Sequence, residues 1–250
     1  MRPKKRIVII GATSAIAEQC ARVWARENPL EIVLLGRNQG KLDRVSSDLK
    51  VRAANTRITS ITGNFLEPTQ IQTVVGQIFS KGNVDIALIA HGSLPDQELC
   101  QLDLQLCKEA LEVNGISPVL FAEAFAMHME KADSGTLAVI GSVAGDRGRK
   151  SNYVYGAAKG LVTRYVQGLQ HRLANSKVKI VLIKPGPTDT PMTAHLKQSG
   201  AKLAAVDRVA REIVRGTENG CRVVYTPKIW SVIMMIIRHL PYFVFKRMDI

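Results

Sequence analysis

Aromatic residues supply only 5% of this 250-residue chain, and no recognised nucleic-acid-binding module accompanies them, so nucleic acid is not an expected partner. Cysteine is sparser still. Cys20, Cys100, Cys107 and Cys221 are scattered without a CxxC pair, which excludes a cysteine metal framework and argues against a disulfide set in a chain of this length. Cys100 and Cys107, expected two turns apart on one helix, are read as packing residues. Reduced, cytoplasmic surroundings are the expectation. The apolar run from Ile229 to Ile237 is shorter than the roughly 18–20 residues that a spanning helix needs. The basic start Met1–Arg6 is followed by an apolar run that stops at Gly11, too short for a signal-peptide core. Linkers, repeats and low-complexity stretches are missing as well, which leaves one folded unit.

Acidic residues are also in short supply: 21 against 34 Lys and Arg, a net charge of +13. Such an excess points to an anionic partner, either acidic lipid or a phosphate-bearing substrate, with a generally basic soluble enzyme as the alternative. Hydrophobic residues at 46% are ordinary for a globular protein.

What is present is a regular alternation of apolar runs and amphipathic stretches. Strands are expected at 7–10, 31–35, 57–61, 85–90, 136–142, 179–184 and 222–226. Helices are expected after the loop Gly11–Ala17 to about Asn28, at 39–54 and 68–80, twice within 94–133, and at 151–174 and 205–218. Repeated strand–helix units of this kind make a single α/β domain, a Rossmann-like doubly wound parallel sheet of seven strands, over residues 1–226. The polar stretch 191–202 is expected to form a lid over the substrate, and 227–250 is a separate apolar, cationic tail.

The chemistry concentrates in the helix at 151–174. Tyr155 and Lys159 are four apart, on one helix face. An ammonium beside a phenol favours the phenolate, which brings Tyr155 toward working pH, where it can give or take a proton at a carbonyl or alcohol. A lone YxxxK pattern is short, and in most chains it marks a half-buried aromatic and a solvated lysine. Here Ser142, thirteen positions upstream, ends an apolar run, and Asn114 lies in a preceding helical segment. Tyr153 has Ala157 four residues on and lacks the lysine.

With that set, the chain resembles the short-chain dehydrogenase/reductase family over nearly its whole length. The resemblance implies that Tyr155 is the general acid/base, that Ser142 orients the reacting oxygen, and that Asn114 holds a proton-relay water. It implies that Lys159 binds the nicotinamide ribose and lowers the Tyr155 pKa. The implied cofactor residues are Gly11, Thr13, Ser14, Ala15 and Ile16 around the pyrophosphate, Arg37, Asn64 and Phe65 toward the adenosine, and Ala90, Gly92, Tyr155, Lys159, Pro185, Gly186 and Thr188 toward the nicotinamide. Two departures stand out. Ala15 and Ala17 occupy the second and third glycine positions of the family's loop, and His91 replaces a small polar residue after the fourth strand. No carboxylate follows the second strand, where one would hold a ribose 2′-hydroxyl. Arg37 stands there and suits a 2′-phosphate, so NADPH is the expected cofactor. No cluster of ligands points to a metal.

The tail is apolar from Ile229 to Ile237 except at Ser231, is broken by Pro241, and is flanked by Lys228, Arg238, Lys246 and Arg247. One reading lays it in a membrane interface, with Trp230 and Tyr242 at headgroup depth. The other packs it on the core or on a second subunit of a homo-oligomer. A helix apolar nearly all round needs two partners. Loop and tail together are similar to the branch of the family that includes decaprenylphosphoryl 2-keto-sugar reductases. That resemblance implies an NADPH-dependent reductase of a lipid-linked carbonyl, with peripheral contact at a membrane's cytoplasmic face. A keto-lipid or fatty-acyl carbonyl reductase and a non-catalytic NADPH-sensing scaffold are the other readings. The Asn-Ser-Tyr-Lys set speaks against the scaffold.

Overall fold

Successive side chains of a strand point to opposite faces, so a strand that is apolar at every position must be covered on both sides. In β1 (Lys5–Ile10), Ile7 and Ile9 pack into one hydrophobic layer while Val8 and Ile10 pack into the other. The computed structural model describes residues 5–26, 30–53, 55–198 and 200–248. With β1 it contains β2 (Leu30–Gly36), β3 (Arg57–Thr62), β4 (Ile86–Ile89), β5 (Thr136–Ile140), β6 (Lys179–Pro185) and β7 (Val223–Thr226). They form a seven-stranded, all-parallel sheet in the order β3-β2-β1-β4-β5-β6-β7.

The helices are α1 (Ala15–Trp24), α2 (Gln39–Arg52), α3 (Pro68–Phe79), α4 (Gln97–Leu102), α5 (Leu104–Leu111), α6 (Ser117–Ala132), α7 (Tyr153–Arg172), α8 (Ala194–Gln198), α9 (Val206–Glu218), α10 (Ile229–His239) and α11 (Tyr242–Phe245). One sheet face is covered by α1, α2 and α9, the other by α3, α6 and α7. Trp24, Phe121 and Phe125 are among the largest fully buried side chains, each contributing roughly 1.5–3 kcal/mol by leaving water. The strand order reverses between β1 and β4, and in sheets of this kind a ligand crevice opens at the carboxyl ends of the strands flanking such a reversal.

Several boundaries differ from expectation. Helix α1 ends at Trp24, short of Asn28, which lies outside the described residues, as does Ala54 at the expected end of α2. The stretch 94–133 holds three α-helices and not two, because Asp103 interrupts it. Its carboxylate accepts the amides of Gln105 and Leu106 at 2.8 and 3.3 Å, capping α5. Cys100 and Cys107 therefore sit on separate helices, although both join one small apolar cluster. Between α5 and α6 one turn widens to a π-helix, Glu112–Ile116. Residues 104–132 are long and apolar enough by composition to cross a membrane, but more than half of their most apolar window is buried in the core.

The tail has one face on the body and one free. Met234 is fully buried, while Ile229, Val232, Met235 and Ile236 are each about half exposed or more, as is Phe243 in α11. Trp230 packs against the loop after β6. Its indole lies where a methyl group on Gly186 would be.

Candidate active site

A cavity of about 700 Å³ opens at the β1–β4 reversal. Gly11 ends β1 with φ +78°, a left-handed conformation that disfavours any side chain, and a Cβ there would come within 2.5 Å of the His91 backbone. The first glycine of the loop is thus required twice over. Helix α1 begins at the cavity, and Ser14 caps it by accepting the Ala17 amide at 3.2 Å. The remaining first-turn amides have no intrahelical partner and carry the positive end of the helix dipole. Ala17 is buried in the helix–sheet layer without disturbing it, so that alanine in place of glycine is accommodated in the fold.

After β2 the wall turns cationic. Arg37, Lys41 and Arg44 line the cavity. Arg44 is 3.4 Å from Glu18, whereas the side chains of Arg37 and Lys41 make no ion pair or hydrogen bond with described residues. On β4's side, His91 lines the cavity and contacts Phe65 and Phe121 edge-on. The Ser117 hydroxyl donates to the Phe65 carbonyl at 2.5 Å. Its oxygen must then accept at the 2.9 Å contact with His91 Nε2, which puts the ring proton on Nε2 and leaves Nδ1 a bare acceptor. That Nδ1 is buried without a partner. Burial, with Lys159 and Arg37 nearby, pushes His91 down to about 3, so it is neutral at physiological pH.

Ser142 lies just past β5, where its hydroxyl oxygen accepts the Ala144 amide at 3.1 Å and starts a 3₁₀ turn, Val143–Asp146. Tyr155 sits in the first turn of α7, and Lys159 follows one turn on, its Nζ 5.8 Å from the Tyr155 ring centre. The ammonium donates to the Ile140 carbonyl at 3.1 Å and is 3% exposed. Burial raises the Tyr155 phenol above its ordinary value, opposed by the Ser142 hydroxyl, and pulls Lys159 down to about 8. The expected drop of Tyr155 toward neutrality is therefore not found. Desolvation outweighs the lowering by the Ser142 hydrogen bond, and Tyr155 is held as the protonated phenol.

Asn114 falls in the π turn and is fully buried. Its side-chain carbonyl accepts the Ser93 amide at 2.8 Å and its NH₂ donates to the Ala110 carbonyl at 2.9 Å. Gly92 permits this, since a Cβ there would lie 2.9 Å from Asn114 Oδ1. Of the residues singled out from sequence, Asn64 and Asn114 do not line the cavity. Asn64 is exposed and folds its carbonyl back to the Leu66 amide. The others named above all line it: Gly11, Thr13, Ser14, Ala15, Ile16, Arg37, Phe65, Ala90, Gly92, Ser142, Tyr155, Lys159, Pro185, Gly186 and Thr188.

Sequence reasoning passed over Lys41 and Arg44, although their spacing of four and seven from Arg37 was a usable signal. It also passed over Arg149 and Asn152, which line the same cavity. Behind the site, Asp146 forms a buried ion pair with Lys184 and accepts the Tyr225 hydroxyl at 2.8 Å. Arg147 donates to the carbonyls of Ile237 and Leu240 at 2.5 and 2.7 Å and stacks on Phe245. The serine's turn is thereby tied to the tail. The expected lid carries a 3₁₀ turn, Pro191–Thr193, and then α8, with Met192 and Leu196 on the cavity wall. Among the described residues no group of three or more His, Cys, Asp or Glu could hold a metal.

These features suit a nicotinamide dinucleotide: a glycine cradle at a helix start, unpaired cations after β2, and an orphaned acceptor in the wall. A family model described as short chain dehydrogenase matches residues 5–201. An uncharacterized oxidoreductase of Streptomyces coelicolor is 27% identical over 250 residues, 98% of this chain and 96% of its own. One from Staphylococcus aureus is 30% identical over 210 residues, 84% and 89% of the two chains. Among solved structures, a short-chain dehydrogenase from Sphingobium yanoikuyae in complex with NADPH superposes with a TM-score of 0.82 at 19% identity, covering 95% of this chain and 97% of that one. An actinorhodin polyketide ketoreductase with NADPH gives 0.78 at 18% identity, covering 89% and 95%.

Proposed function

Because the chain belongs to the short-chain dehydrogenase family, an NAD(P)-dependent oxidoreductase family, we propose that it is an NADPH-dependent reductase of a carbonyl on an apolar, lipid-linked substrate. The observation that carries the reductase reading is the grouping of Tyr155, Ser142 and Lys159 on one wall of the cavity. Reduction needs an acid at the carbonyl oxygen, and a phenol raised above its ordinary pKa is that acid throughout the neutral range.

When bound, the nicotinamide supplies the hydride. Tyr155 gives its proton to the carbonyl oxygen, and the Ser142 hydroxyl donates a hydrogen bond to the same atom. The tyrosinate left behind is stabilised by the Lys159 ammonium, whose attraction is strong in surroundings this dry. Thus the lysine acts on the ionised product of proton transfer, while the resting phenol stays neutral. Lys159 would also hold the ribose. Arg37 and Lys41 would hold a 2′-phosphate, which is the support for NADPH over NADH.

For the substrate, the reading rests on the apolar wall of Met192 and Leu196 and on the free face of α10 and α11. That face sits among Lys228, Arg238, Lys246 and Arg247, a pattern suited to the surface of an anionic bilayer. A polyprenylphosphoryl keto-sugar is the substrate of this type that the tail and the basic charge favour. A keto-lipid shares the apolar part and lacks the phosphate. The test is NADPH consumption by the protein with a panel of keto-sugars, keto-lipids and their polyprenyl phosphate conjugates on anionic liposomes. Turnover confined to lipid-linked carbonyls supports the proposal, and turnover confined to small soluble ketones contradicts it.

A further inference from the structure

The run Asp146-Arg-Gly-Arg-Lys150 leads from the serine's turn into α7, and its two arginines go separate ways. Arg147 is spent on the tail, as described. Arg149 lines the active-site cavity. Its guanidinium meets no carboxylate, carbonyl or hydroxyl among the described residues, and Nε is buried with no partner. Partial burial holds its basicity below the usual arginine range, as for a cation without counter-charge. On the same wall is Asn152, one turn before Tyr155. Its side chain does not cap α7, and its Oδ1 is buried and unpaired. Because the two ends of an amide can be exchanged, Asn152 can offer either an acceptor or two donors.

A guanidinium with no partner and a buried, unpaired Nε is costly unless something anionic meets it. Arg37 and Lys41 already serve the adenosine end of the cavity, after β2. Arg149 and Asn152 belong instead to the segment that runs from Ser142 to Tyr155, the two groups that hold the reacting oxygen. We propose that Arg149, with Asn152 beside it, is a subsite for an oxyanion carried by the substrate, a phosphoryl or carboxylate group on the molecule whose carbonyl is reduced. The inference rests on the reductase reading above and narrows it: an anionic substrate is preferred over a neutral keto-lipid.

The test uses the full chain saturated with NADP, titrated calorimetrically with n-hexyl phosphate, heptanoate and hexanol. The wild type should bind one of the two anions about 10- to 100-fold more tightly than hexanol, the scale of one charge-assisted hydrogen bond. Whichever anion wins tells phosphoryl from carboxylate. Arg149→Met should erase the preference and Arg149→Lys should restore part of it, with Arg149→Gln in reserve if the Met variant does not fold. NADP binding is read first in the same cell. If the wild type does not bind NADP, the oxidoreductase reading itself fails. If NADP binds and hexanol binds as tightly as both anions, or if no anion binds, the subsite is overturned. A preference that survives Arg149→Met overturns it equally.

Discussion

Burial acts in opposite senses on the two residues that share the cavity face of α7, raising the Tyr155 phenol and lowering the Lys159 ammonium to about 8. For Lys159 this is a stability statement. Below pH 8 the lysine is charged in both folded and unfolded chains, and its burial costs roughly 3 kcal/mol for a shift of this size. Between pH 8 and the ordinary lysine value the folded state sheds the proton first, so the cost shrinks as pH rises. Lys159→Met should therefore melt at or above the wild-type temperature at neutral pH, with the gap closing toward pH 10.5, while its NADPH affinity falls. A variant that melts well below wild type at pH 7 would show that the ammonium is net stabilising. Arg37→Ala should cut NADPH affinity about 10- to 100-fold and leave NADH nearly unchanged. Equal loss for both cofactors in parallel titrations would place Arg37 away from the phosphate. Ser142, Tyr155, Lys159 and Arg37 were legible because a short, fixed spacing or a strand end marks them. Arg149 was not, since nothing in a run with two arginines and a lysine tells which one faces inward.

At the scale of elements, the contact between β6 and α10 is the least expected. A methyl group on Gly186 would overlap the Trp230 indole, so the loop after β6 and the tail are built against each other. Gly186→Ala should dislodge α10, lowering the melting temperature by an overpacking cost of about 1–3 kcal/mol and opening the tail to proteolysis. Adding Trp230→Ala should recover part of that loss, and strict additivity of the two would mean that they do not touch. The sequence reading gave α10 two apolar faces and asked for two partners, and the body covers one of them. What it missed has a physical cause. Asp103 is an ordinary surface acid until its carboxylate is seen on two amides, and a π turn of five residues shifts the apolar phase too locally for composition to mark it.

The whole-molecule architecture was the most legible level, because seven apolar runs alternating with amphipathic ones have few ways to bury both faces of every strand. The strand order, with its one reversal between β1 and β4, sets the cavity where Gly11 and His91 meet. The charge of +13 and the free face of the tail also belong to this scale. Flotation with anionic liposomes should retain the protein, and added salt should weaken the association without abolishing it, since apolar burial remains. Failure to float with any liposome would remove the membrane from the account. The chemical claim is tested by Tyr155→Phe, which keeps the ring and removes only the acid. Rates of NADPH consumption with the best carbonyl substrate of the panel should fall by about 10²-fold or more, while NADPH binding, titrated on the same preparation, stays close to wild type. A phenylalanine variant that turns over near the wild-type rate would contradict the account.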